Sequence, residues 1–364
     1  MKTIHIITLQ NVANYGSVLQ ALATQELFKS LGLDVKFYNY KRKESISIFS
    51  KIGHFVKTQG LKGLFKSLLW FPSWIRENSI FPSFLGKYLN TIPQIVCESE
   101  DFRKLKLDAD IYCTGSDQTW NSGWNNGILP PLFLDFAPAN KPRIAYAASF
   151  GKSSLDENEK VRTKELLSKY SFISVRENSA VNICNDLGFE AYQVVDPTLQ
   201  MTADYWRTFS KPVKYKGYCL LYQLNSNKAF DKFAVEFCKR KELKLVRFCH
   251  RLDKIFLPAD IHLPMPQVED FISYIDHADF VLTDSFHCSA FSSNLNKQFL
   301  SFYPEYGGRI KSLLDLLYLE NRHIADLNNI EEYANMENID FSKVNAILEH
   351  ERNKTVELLK NALR

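Results

Sequence analysis

The sequence has few cysteines, and none are paired at metal-binding or redox spacing. Seven cysteines stand among 364 residues, an odd number, and no two form a C-x-x-C motif. Several lie inside apolar runs, as Cys113 and Cys219 do. The pattern does not fit a disulfide scaffold or a zinc centre, and we expect reduced core thiols in a cytosolic protein without a metal. The cysteines are Cys97, Cys113, Cys184, Cys219, Cys238, Cys249 and Cys288.

Long apolar runs and a strong charge of one sign are also lacking. No stretch reaches the roughly 18 uncharged apolar residues of a membrane-spanning helix. The first ten residues hold one lysine and a short alternating apolar run without a cleavage site, so we expect no signal peptide. The net charge of +4 suits an anionic substrate or a membrane surface. It lacks the clustered basic signal of a dedicated nucleic-acid-binding protein.

What the sequence does contain is an alternation of short apolar strands and helical segments, in two halves. A strand over 3–9, a helix that stops at Gly32 and a strand over 34–40 predict a βαβ unit, and hence a parallel sheet. Further strands are predicted at 109–115, 143–149, 172–177, 192–197, 218–224, 244–250 and 279–285. Sheets of this kind bind ligands beyond the carboxyl ends of their strands.

A polar stretch framed by Pro212 and Gly217 interrupts the alternation. We expect the domain boundary there, with an N-terminal Rossmann-like domain over 1–210 and a C-terminal one over 211–364 that ends in a helix. Residues 41–90 differ from their surroundings, with nine basic residues against two acidic ones, a net charge of +7, and many Phe, Leu, Ile and Trp residues. This segment predicts an insertion of amphipathic helices in the first domain.

The loop after the first strand holds Asn14, Tyr15 and Gly16 in front of a helix. Gly16 allows close approach of the backbone, and N–H groups at a helix start suit an anion or a sugar hydroxyl. A tight turn with a helix cap is the alternative. We expect this loop to bind an acceptor.

The loop after the strand at 109–115 holds Ser116, Asp117, Gln118 and Trp120. A carboxylate beside an amide and an aromatic ring is typical of sugar binding, because polar groups bind hydroxyls while the ring stacks on the sugar face. Asp117 also suits a general base toward an acceptor hydroxyl. An Asx turn with a helix cap is the alternative.

Charged residues stand at the ends of the last two strands predicted in the first half, 172–177 and 192–197. Arg176 precedes Glu177, and its planar fork matches a carboxylate or a phosphate. A structural Arg–Glu pair is the alternative. Asp196 stands before Pro197 and indicates a helix start, so we interpret it as structural.

The second half has its strongest signal at 280–295. A strand ends at Asp284, and Ser285 opens a helix with His287 in its first turn. The positive helix end suits a phosphate, and histidine donates a proton near neutral pH. A histidine satisfied by Asp284 or the backbone is the alternative. Arg309 enters a further helix and suits the same anion, with a surface arginine as the alternative.

In this order the motifs resemble the polysaccharide pyruvyl transferase family. The resemblance implies two Rossmann-like domains facing a cleft, a GT-B-like α/β fold. It also implies phosphoenolpyruvate as donor and a sugar of a cell-surface polysaccharide precursor as acceptor, in a transfer that needs no metal or cofactor. The matching pieces are NYGSVLQA (14–21), TGSDQTWN (114–121), AASFG (147–151), SVRENSA (174–180), DPT (196–198) and TDSFH (283–287).

The resemblance also implies residue roles and shows one departure. Family members bind phosphoenolpyruvate through an Arg-Leu-His run whose last residue corresponds to His287, and here the run is Ser-Phe-His. We expect Arg176, Arg309 and Ser285 to hold the donor. His287 would be the acid or a phosphate ligand, and Asp117 the acceptor-side base. The two arginines and His287 are expected to converge on one pocket between the domains.

Two other functions stay open. One is a GT-B-type glycosyltransferase that uses a nucleotide sugar, with Glu305 on a ribose, and the other is a non-catalytic glycan-binding relative, which the missing arginine supports. The basic insertion at 41–90 also suits an interfacial helix on anionic lipid, near a lipid-linked acceptor. A basic face whose apolar side packs on the first domain is the alternative.

Overall fold

The computed structural model describes residues 1–105, 108–303 and 308–364. Glu305, assigned to a ribose in the nucleotide-sugar alternative, lies outside the described residues. The chain divides into two compact units. Unit 1 comprises Met1–Ile46, Pro82–Gln200 and Glu349–Arg364, and unit 2 comprises Ser47–Phe81 and Met201–Leu348.

Each unit is built around one sheet whose described strand pairs are all parallel. The strands of unit 1 are β1 (Thr3–Ile7), β2 (Asp34–Tyr40), β3 (Thr91–Val96), β4 (Ile111–Thr114), β5 (Arg143–Ala148), β6 (Phe172–Val175) and β7 (Tyr192–Gln193). The strands of unit 2 are β8 (Tyr218–Tyr222), β9 (Lys244–Cys249), β10 (Ile261–Pro264), β11 (Phe280–Thr283) and β12 (Phe299–Ser301).

Helices separate most consecutive strands. In the first part of the chain they are α1 (Tyr15–Ser30), α2 (Ile48–Tyr88), α3 (Ser99–Lys104), α4 (Ser122–Asn125), α5 (Glu157–Leu167), α6 (Asn178–Asp186) and α7 (Pro197–Gln200). The later helices are α8 (Ala203–Arg207), α9 (Lys228–Arg240), α10 (Val268–Asp276), α11 (Phe286–Asn294), α12 (Gly308–Leu316), α13 (Ile330–Ala334) and α14 (Phe341–Ala362). Within the described parts of the chain, no helix is both long and apolar enough to cross a membrane.

The strand orders explain where ligands fit. Unit 1 has the order β3-β2-β1-β4-β5-β6-β7, and unit 2 repeats the scheme as β10-β9-β8-β11-β12. In both sheets the second and third strands are added on one side of the first strand, and the fourth strand then pairs with the other side of the first strand. This reversal opens a crevice at the carboxyl ends of β1 and β4 in unit 1, and of β8 and β11 in unit 2. The predicted α/β fold with Rossmann-like parallel sheets is confirmed.

The segment expected to be a helical insertion forms α2, which is a hairpin. Gly60 adopts φ 57° and ψ −137°, which breaks the helix into one arm over 48–59 and a second over 61–88. The arms fold back on each other, since the Phe55 ring lies 5.5 Å from Trp70 and 5.7 Å from Trp74. A Cβ placed on Gly63 would lie 2.0 Å from the Phe55 carbonyl oxygen, so the approach of the two arms requires glycine there.

The bounds of the units differ from the division expected at residue 210. Residues 47–81 cluster with unit 2, although they precede most of unit 1 in the chain. The last residues return to unit 1, where Arg352 Nε donates a hydrogen bond to the Leu199 carbonyl at 2.7 Å. Lys2 Nζ donates to the Leu363 carbonyl at 3.1 Å in the same unit. Such contacts join residues far apart in sequence. A change of composition along the chain therefore does not reveal which segments belong to one unit.

Candidate active site

The first candidate loop of unit 1 caps its own helix. Asn14 Oδ1 accepts hydrogen bonds from the backbone N–H of Gly16 at 2.9 Å and of Ser17 at 3.3 Å. Tyr15 is 1 % exposed, within the core. The loop therefore has the helix cap that was the alternative to ligand binding. An acceptor-binding role for Asn14, Tyr15 and Gly16 stays a prediction.

Asp117 lies at the switch point of unit 1 in a strained backbone conformation. Its φ is 78°, a left-handed value that is uncommon outside glycine. Its Oδ2 accepts a 2.5 Å hydrogen bond from Ser17 Oγ, and its Oδ1 accepts one from the Gln118 N–H at 2.8 Å. The carboxylate thus joins the start of α1 to the loop after β4. Ala147, on the neighbouring strand β5, also has a positive φ of 52°, and clustered strain of this kind favours a functional edge.

Arg176 is a buried cation among three carboxylates. Its side chain is 1 % exposed, and its NH1 lies 2.7 Å from Asp196 Oδ2. Asp117 Oδ1 lies 3.8 Å from its NH2, and Glu177 Oε2 lies 3.9 Å from its Nε. Burial alone lowers the pKa of Arg176, but the carboxylates of Asp196, Asp117 and Glu177 outweigh it and raise that pKa above its usual value. Three carboxylates therefore lie within 4 Å of one guanidinium.

The other two carboxylates, those of Asp196 and Glu177, are held in place by hydrogen bonds from their own neighbours. Asp196 Oδ1 accepts from the Thr198 backbone N–H at 2.9 Å and from its hydroxyl at 2.7 Å, which fixes the start of α7 as a structural Asp-Pro-Thr turn. Glu177 Oε1 accepts from Ser149 Oγ at 2.8 Å and from the backbone N–H groups of Phe150 and Gly151. Both carboxylates therefore orient the Arg176 guanidinium from fixed positions.

The remaining residues predicted in the 114–121 loop have different environments. Ser116 is fully buried, and its Oγ donates to Asp196 Oδ2 at 3.3 Å. Gln118 is half-buried, and its Oε1 accepts a hydrogen bond from Asn121 Nδ2 at 2.6 Å. Of the four residues predicted in this loop, Gln118 and Asp117 are the most exposed.

Trp120 is a core residue, which corrects the expectation that its ring stacks on a sugar. It is 2 % exposed, and its Nε1 donates to the Leu132 carbonyl at 3.1 Å. Its ring stacks on Phe133 at 5.2 Å and lies 5.1 Å from Phe150. Because the Trp120 ring is packed against Phe133 and Phe150 and is almost fully buried, it has no free face on which a sugar could stack.

In unit 2, Asp284 anchors the switch-point loop rather than His287. Its carboxylate accepts hydrogen bonds from the backbone N–H of Leu224 at 2.6 Å and of Asn225 at 2.8 Å, and from Asn225 Nδ2 at 3.1 Å. Burial raises the pKa of Asp284 while these hydrogen bonds oppose that shift. The loop after β8 is thereby fixed beside the loop after β11.

The run from Ser285 to His287 opens α11, and Arg309 lies next to it. Ser285 Oγ accepts from the Cys288 N–H at 3.4 Å as the helix cap, and His287 is 5 % exposed in the first turn. The Phe286 ring centroid lies 5.2 Å from that of His287, and the Arg309 guanidinium lies 5.9 Å from the Phe286 ring centroid. Unit 2 therefore brings His287 and Arg309 to one ring, whereas Arg176 belongs to unit 1. Convergence of all three stays a prediction.

A further basic group at this edge of unit 2 was missed by the sequence analysis. Lys254 follows β9 and is 3 % exposed, and its Nζ donates to Ser226 Oγ at 2.8 Å. Burial lowers the pKa of Lys254, and the nearby charge of Arg251 lowers it further. Ser226 follows directly on Asn225, so the Lys254 ammonium and the Asp284 carboxylate both bind the loop after β8. The signal was present in the sequence His-Arg-Leu-Asp-Lys after a predicted strand, but basic residues after strands are too common to single out.

The fold defines the class of the protein. Two Rossmann-like units with parallel sheets are shared with GT-B enzymes that handle nucleotide sugars. The UDP-N-acetylglucosamine 2-epimerase from Rickettsia bellii aligns with a TM-score of 0.55 at 12% identity, over 99% of this chain and 96% of that chain. The UDP-GlcNAc 2-epimerase from Methanocaldococcus jannaschii aligns with a TM-score of 0.52 at 13% identity, over 95% of this chain and 91% of that chain. At such identities the likeness shows the fold alone.

The family follows from the sequence of the chain. A profile described as polysaccharide pyruvyl transferase matches residues 14–306, which is most of the chain. The protein therefore belongs to the polysaccharide pyruvyl transferase family and is a transferase. None of the curated proteins matches it.

Proposed function

We propose that this enzyme transfers the pyruvate unit of phosphoenolpyruvate to a sugar of a surface-polysaccharide precursor, forming a cyclic ketal and releasing phosphate. The supporting observation is that the family motifs lie at the switch-point loops of both units. In unit 1 the loop after β4 holds the oriented carboxylate of Asp117, and in unit 2 His287 and Arg309 lie beside the Phe286 ring while Lys254 contacts the loop after β8. Phosphoenolpyruvate carries a carboxylate and a phosphate, so the cationic side chains of unit 2 suit the donor, and the carboxylate of unit 1 suits a neutral polyhydroxyl acceptor.

The reaction balances without a metal or a cofactor. A proton added to the methylene carbon of phosphoenolpyruvate turns it into a methyl group and makes C2 electrophilic. One sugar hydroxyl forms a C–O bond to C2, the bond from C2 to the phosphate oxygen breaks, and phosphate leaves with the electron pair. A second hydroxyl of the same sugar then attacks C2 and closes the ring. Of the two hydroxyl protons lost, one balances the new methyl C–H bond and the other leaves with phosphate.

Each residue role rests on its position. His287 supplies the proton to the methylene carbon, and Arg309 and Ser285 hold the anionic groups of the donor together with Lys254. Asp117 removes a proton from the acceptor hydroxyl, a step typically worth ~10²–10⁴-fold in rate. Arg176, which lies beside Asp117 and Asp196, positions Asp117 in this scheme, and donor binding by Arg176 stays a prediction.

The cellular setting is part of the same proposal. The enzyme works in the cytoplasm during capsule or exopolysaccharide synthesis, on an acceptor linked to lipid. A lipid-linked acceptor would bring the enzyme to the membrane surface.

A mass-spectrometric assay tests the function. The protein is incubated with phosphoenolpyruvate and candidate glycans, and the expected result is an acceptor that gains the mass of a pyruvate ketal while phosphate appears in equal amount. His287→Asn should abolish the gain, and Arg309→Ala should weaken phosphoenolpyruvate binding by about tenfold or more, since a hydrogen bond to a charged group is worth roughly 1.5–3 kcal/mol. Lys311→Ala, on the same helix but paired with Asp315, is the matched control.

One observation supports a second candidate function, a glycosyltransferase that uses a nucleotide sugar. The fold is shared with solved UDP-N-acetylglucosamine 2-epimerases, whose names give a nucleotide sugar as the compound they act on. A parallel set of incubations therefore contains nucleotide sugars in place of phosphoenolpyruvate. Transfer of a hexose with release of a nucleotide, and no ketal with any acceptor, would replace the pyruvyl-transfer proposal by this one.

A further inference from the structure

The α2 hairpin carries more than half of the exposed large apolar side chains of the described chain. Seventeen large apolar side chains are exposed among the described residues, and nine of them lie between 49 and 75. Leu61 is 76% exposed and Phe65 70% exposed. Exposed apolar residues scattered singly are normal, but a contiguous set marks an interaction site. The nine are Phe49, Val56, Leu61, Leu64, Phe65, Leu68, Leu69, Phe71 and Ile75.

On the second arm these side chains form one continuous face. At 100° per residue, the seven exposed positions from Leu61 to Ile75 fall within an arc of about 160°. The opposite side of the arm holds the buried residues Gly63, Ser67 and Trp74, of which Gly63 and Trp74 contact Phe55 of the first arm. The apolar face therefore points away from the hairpin partner, and the packing of the two arms leaves it uncovered.

The charges around this face are basic. Residues 47–81 contain five lysines and arginines against one acidic residue, Glu77. Glu77 lies 2.9 Å from Lys51 Nζ, so that pair is neutral. Lys57, Lys62 and Lys66 are exposed, and Lys66 Nζ lies 5.0 Å above the Trp70 ring. An exposed apolar face bordered by lysines matches the two requirements for binding an anionic lipid surface, apolar burial and electrostatic attraction.

We propose that the α2 hairpin docks this enzyme on an anionic membrane, with the Leu61–Ile75 face in the interfacial layer and the lysines over lipid headgroups. The wide face fits lipid better than a second helix, because a two-helix seam uses a narrower apolar stripe. A second copy of the chain fits less well, since a two-fold interface would bring like lysines together. Docked in this way, the hairpin would hold unit 2, to which residues 47–81 belong, close to the membrane.

Vesicle flotation with the full chain tests the docking directly. The probes are vesicles of phosphatidylcholine alone and of phosphatidylcholine with phosphatidylglycerol. Wild type should float with the anionic vesicles at low salt, weakly with the neutral ones, and progressively less as salt screens the lysines. Lys62→Glu with Lys66→Glu should reduce partitioning by about tenfold or more, because each basic residue near such a surface contributes about a fivefold gain.

Two matched controls distinguish the effect of the hairpin from the effect of net charge or of an exposed apolar residue elsewhere on the protein. Lys104→Glu with Lys343→Glu makes the same change in net charge at exposed sites elsewhere, and should bind as wild type does. Leu64→Ser with Phe65→Ser and Leu68→Ser should abolish binding, whereas Val161→Ser, which is 74% exposed on α5, should not. Circular dichroism of each variant confirms folding, which these exposed positions should permit.

The outcomes separate this inference from the proposed function, because flotation needs neither donor nor acceptor. Absence of wild-type binding to anionic vesicles at low salt would overturn the docking proposal and leave pyruvyl transfer untouched. Light scattering that shows a dimer which the Leu64, Phe65 and Leu68 triple variant dissociates would assign the face to a second copy, and would also overturn it. Docking without ketal formation would leave the hairpin assignment standing and remove only the function.

Discussion

The carboxylate of Asp117 is held by three groups before any substrate is present. Ser17 Oγ and the Gln118 N–H donate to its two oxygens, and the Arg176 guanidinium lies 3.8 Å away. The strained φ of 78° fixes the direction of the side chain from the backbone. A base oriented in this way loses little freedom on reaction, which is the benefit of preorganisation. Its side chain is 9 % exposed.

Asp117→Asn should lower turnover by about a hundredfold or more, because the amide keeps the shape of the group but cannot take a proton. Donor affinity should stay within about twofold, since the donor is assigned to unit 2. Turnover is measured from phosphate release and affinity by calorimetric titration with phosphoenolpyruvate. Asp204→Asn, at a side chain that is 94 % exposed, is the control. A collapse of donor affinity in the Asp117 variant would reverse the assignment of the two units.

Arg176→Met should destabilise the protein by about 3–5 kcal/mol in the free energy of unfolding, because it leaves buried carboxylates without their cation. Arg162→Met removes a solvent-exposed partner of Glu165 on α5 and should cost about 1 kcal/mol or less. Urea unfolding of both variants gives the comparison. Equal stability of the two would show that Arg176 does not hold the cluster together and would return it to the list of donor ligands.

At the scale of one element, the α2 hairpin depends on a single glycine contact. Gly63→Ala places a methyl group where the Phe55 carbonyl oxygen lies, so the arms must separate. Gly53→Ala is the matched control in the first arm, because a Cβ there meets nothing within 4 Å. We expect the control to raise stability by roughly 0.5–1 kcal/mol, the gain of alanine over glycine in a helix, and Gly63→Ala to lower it. Thermal unfolding measures both, and a stabilised Gly63 variant would show that the arms are not packed this closely.

Element by element, the central strands were predictable, whereas three of the four edge strands were not. The sequence predicts β1, β4 and β5, whose apolar runs are buried on both faces, and the partly exposed β2. The sequence also predicts the fourth edge strand, β7, within 192–197. It misses β3, β10 and β12, and all three lie at an edge of their sheet. Pro93 and Pro264 interrupt the first two, which is tolerated at an edge but weakens the strand pattern. The third is three residues long, too short to show a period.

At the scale of the whole molecule, acid should destabilise both units through buried histidines. In unit 1, burial and then the charge of Lys36 lower the pKa of His5 to about 4. In unit 2, burial and then the charge of Arg251 lower the pKa of His250 to about 3. Both side chains stay neutral in the fold while the unfolded chain takes up protons below pH ~6.5. The stability they provide is therefore complete above pH ~6.5 and is lost as the pH falls toward 4.

Urea unfolding at a series of pH values should show a falling free energy of unfolding between pH ~6.5 and ~4. His5→Gln should make this dependence shallower, because one of the two histidines with a strongly lowered pKa is removed. His54→Gln, at an exposed histidine of the α2 hairpin, should leave the slope unchanged. Identical slopes for wild type and His5→Gln would show that His5 takes up its proton in the folded state as easily as in the unfolded one.

The sequence by itself determined the fold class, the family and the positions of the candidate loops. These are local properties: apolar runs of strand length, helix-start residues such as Ser285, and short motifs that stand after strands. Each of these properties depends on residues within a few positions of one another, so it can be predicted from the amino-acid sequence alone. The family match over residues 14–306 agrees with the motifs quoted from 14 to 287.

Only the tertiary structure decided which of these residues lie in the core and which group with one another. It placed Trp120 against Phe133 and Arg176 beside Asp196, and it brought Arg309 to the Phe286 ring. It also joined residues 47–81 to unit 2 and 349–364 to unit 1. The physical reason is that burial and charge pairing depend on distances in space between residues that are tens or hundreds of positions apart. A side chain type fixes what a residue can do, and its long-range neighbours decide which of those roles it takes.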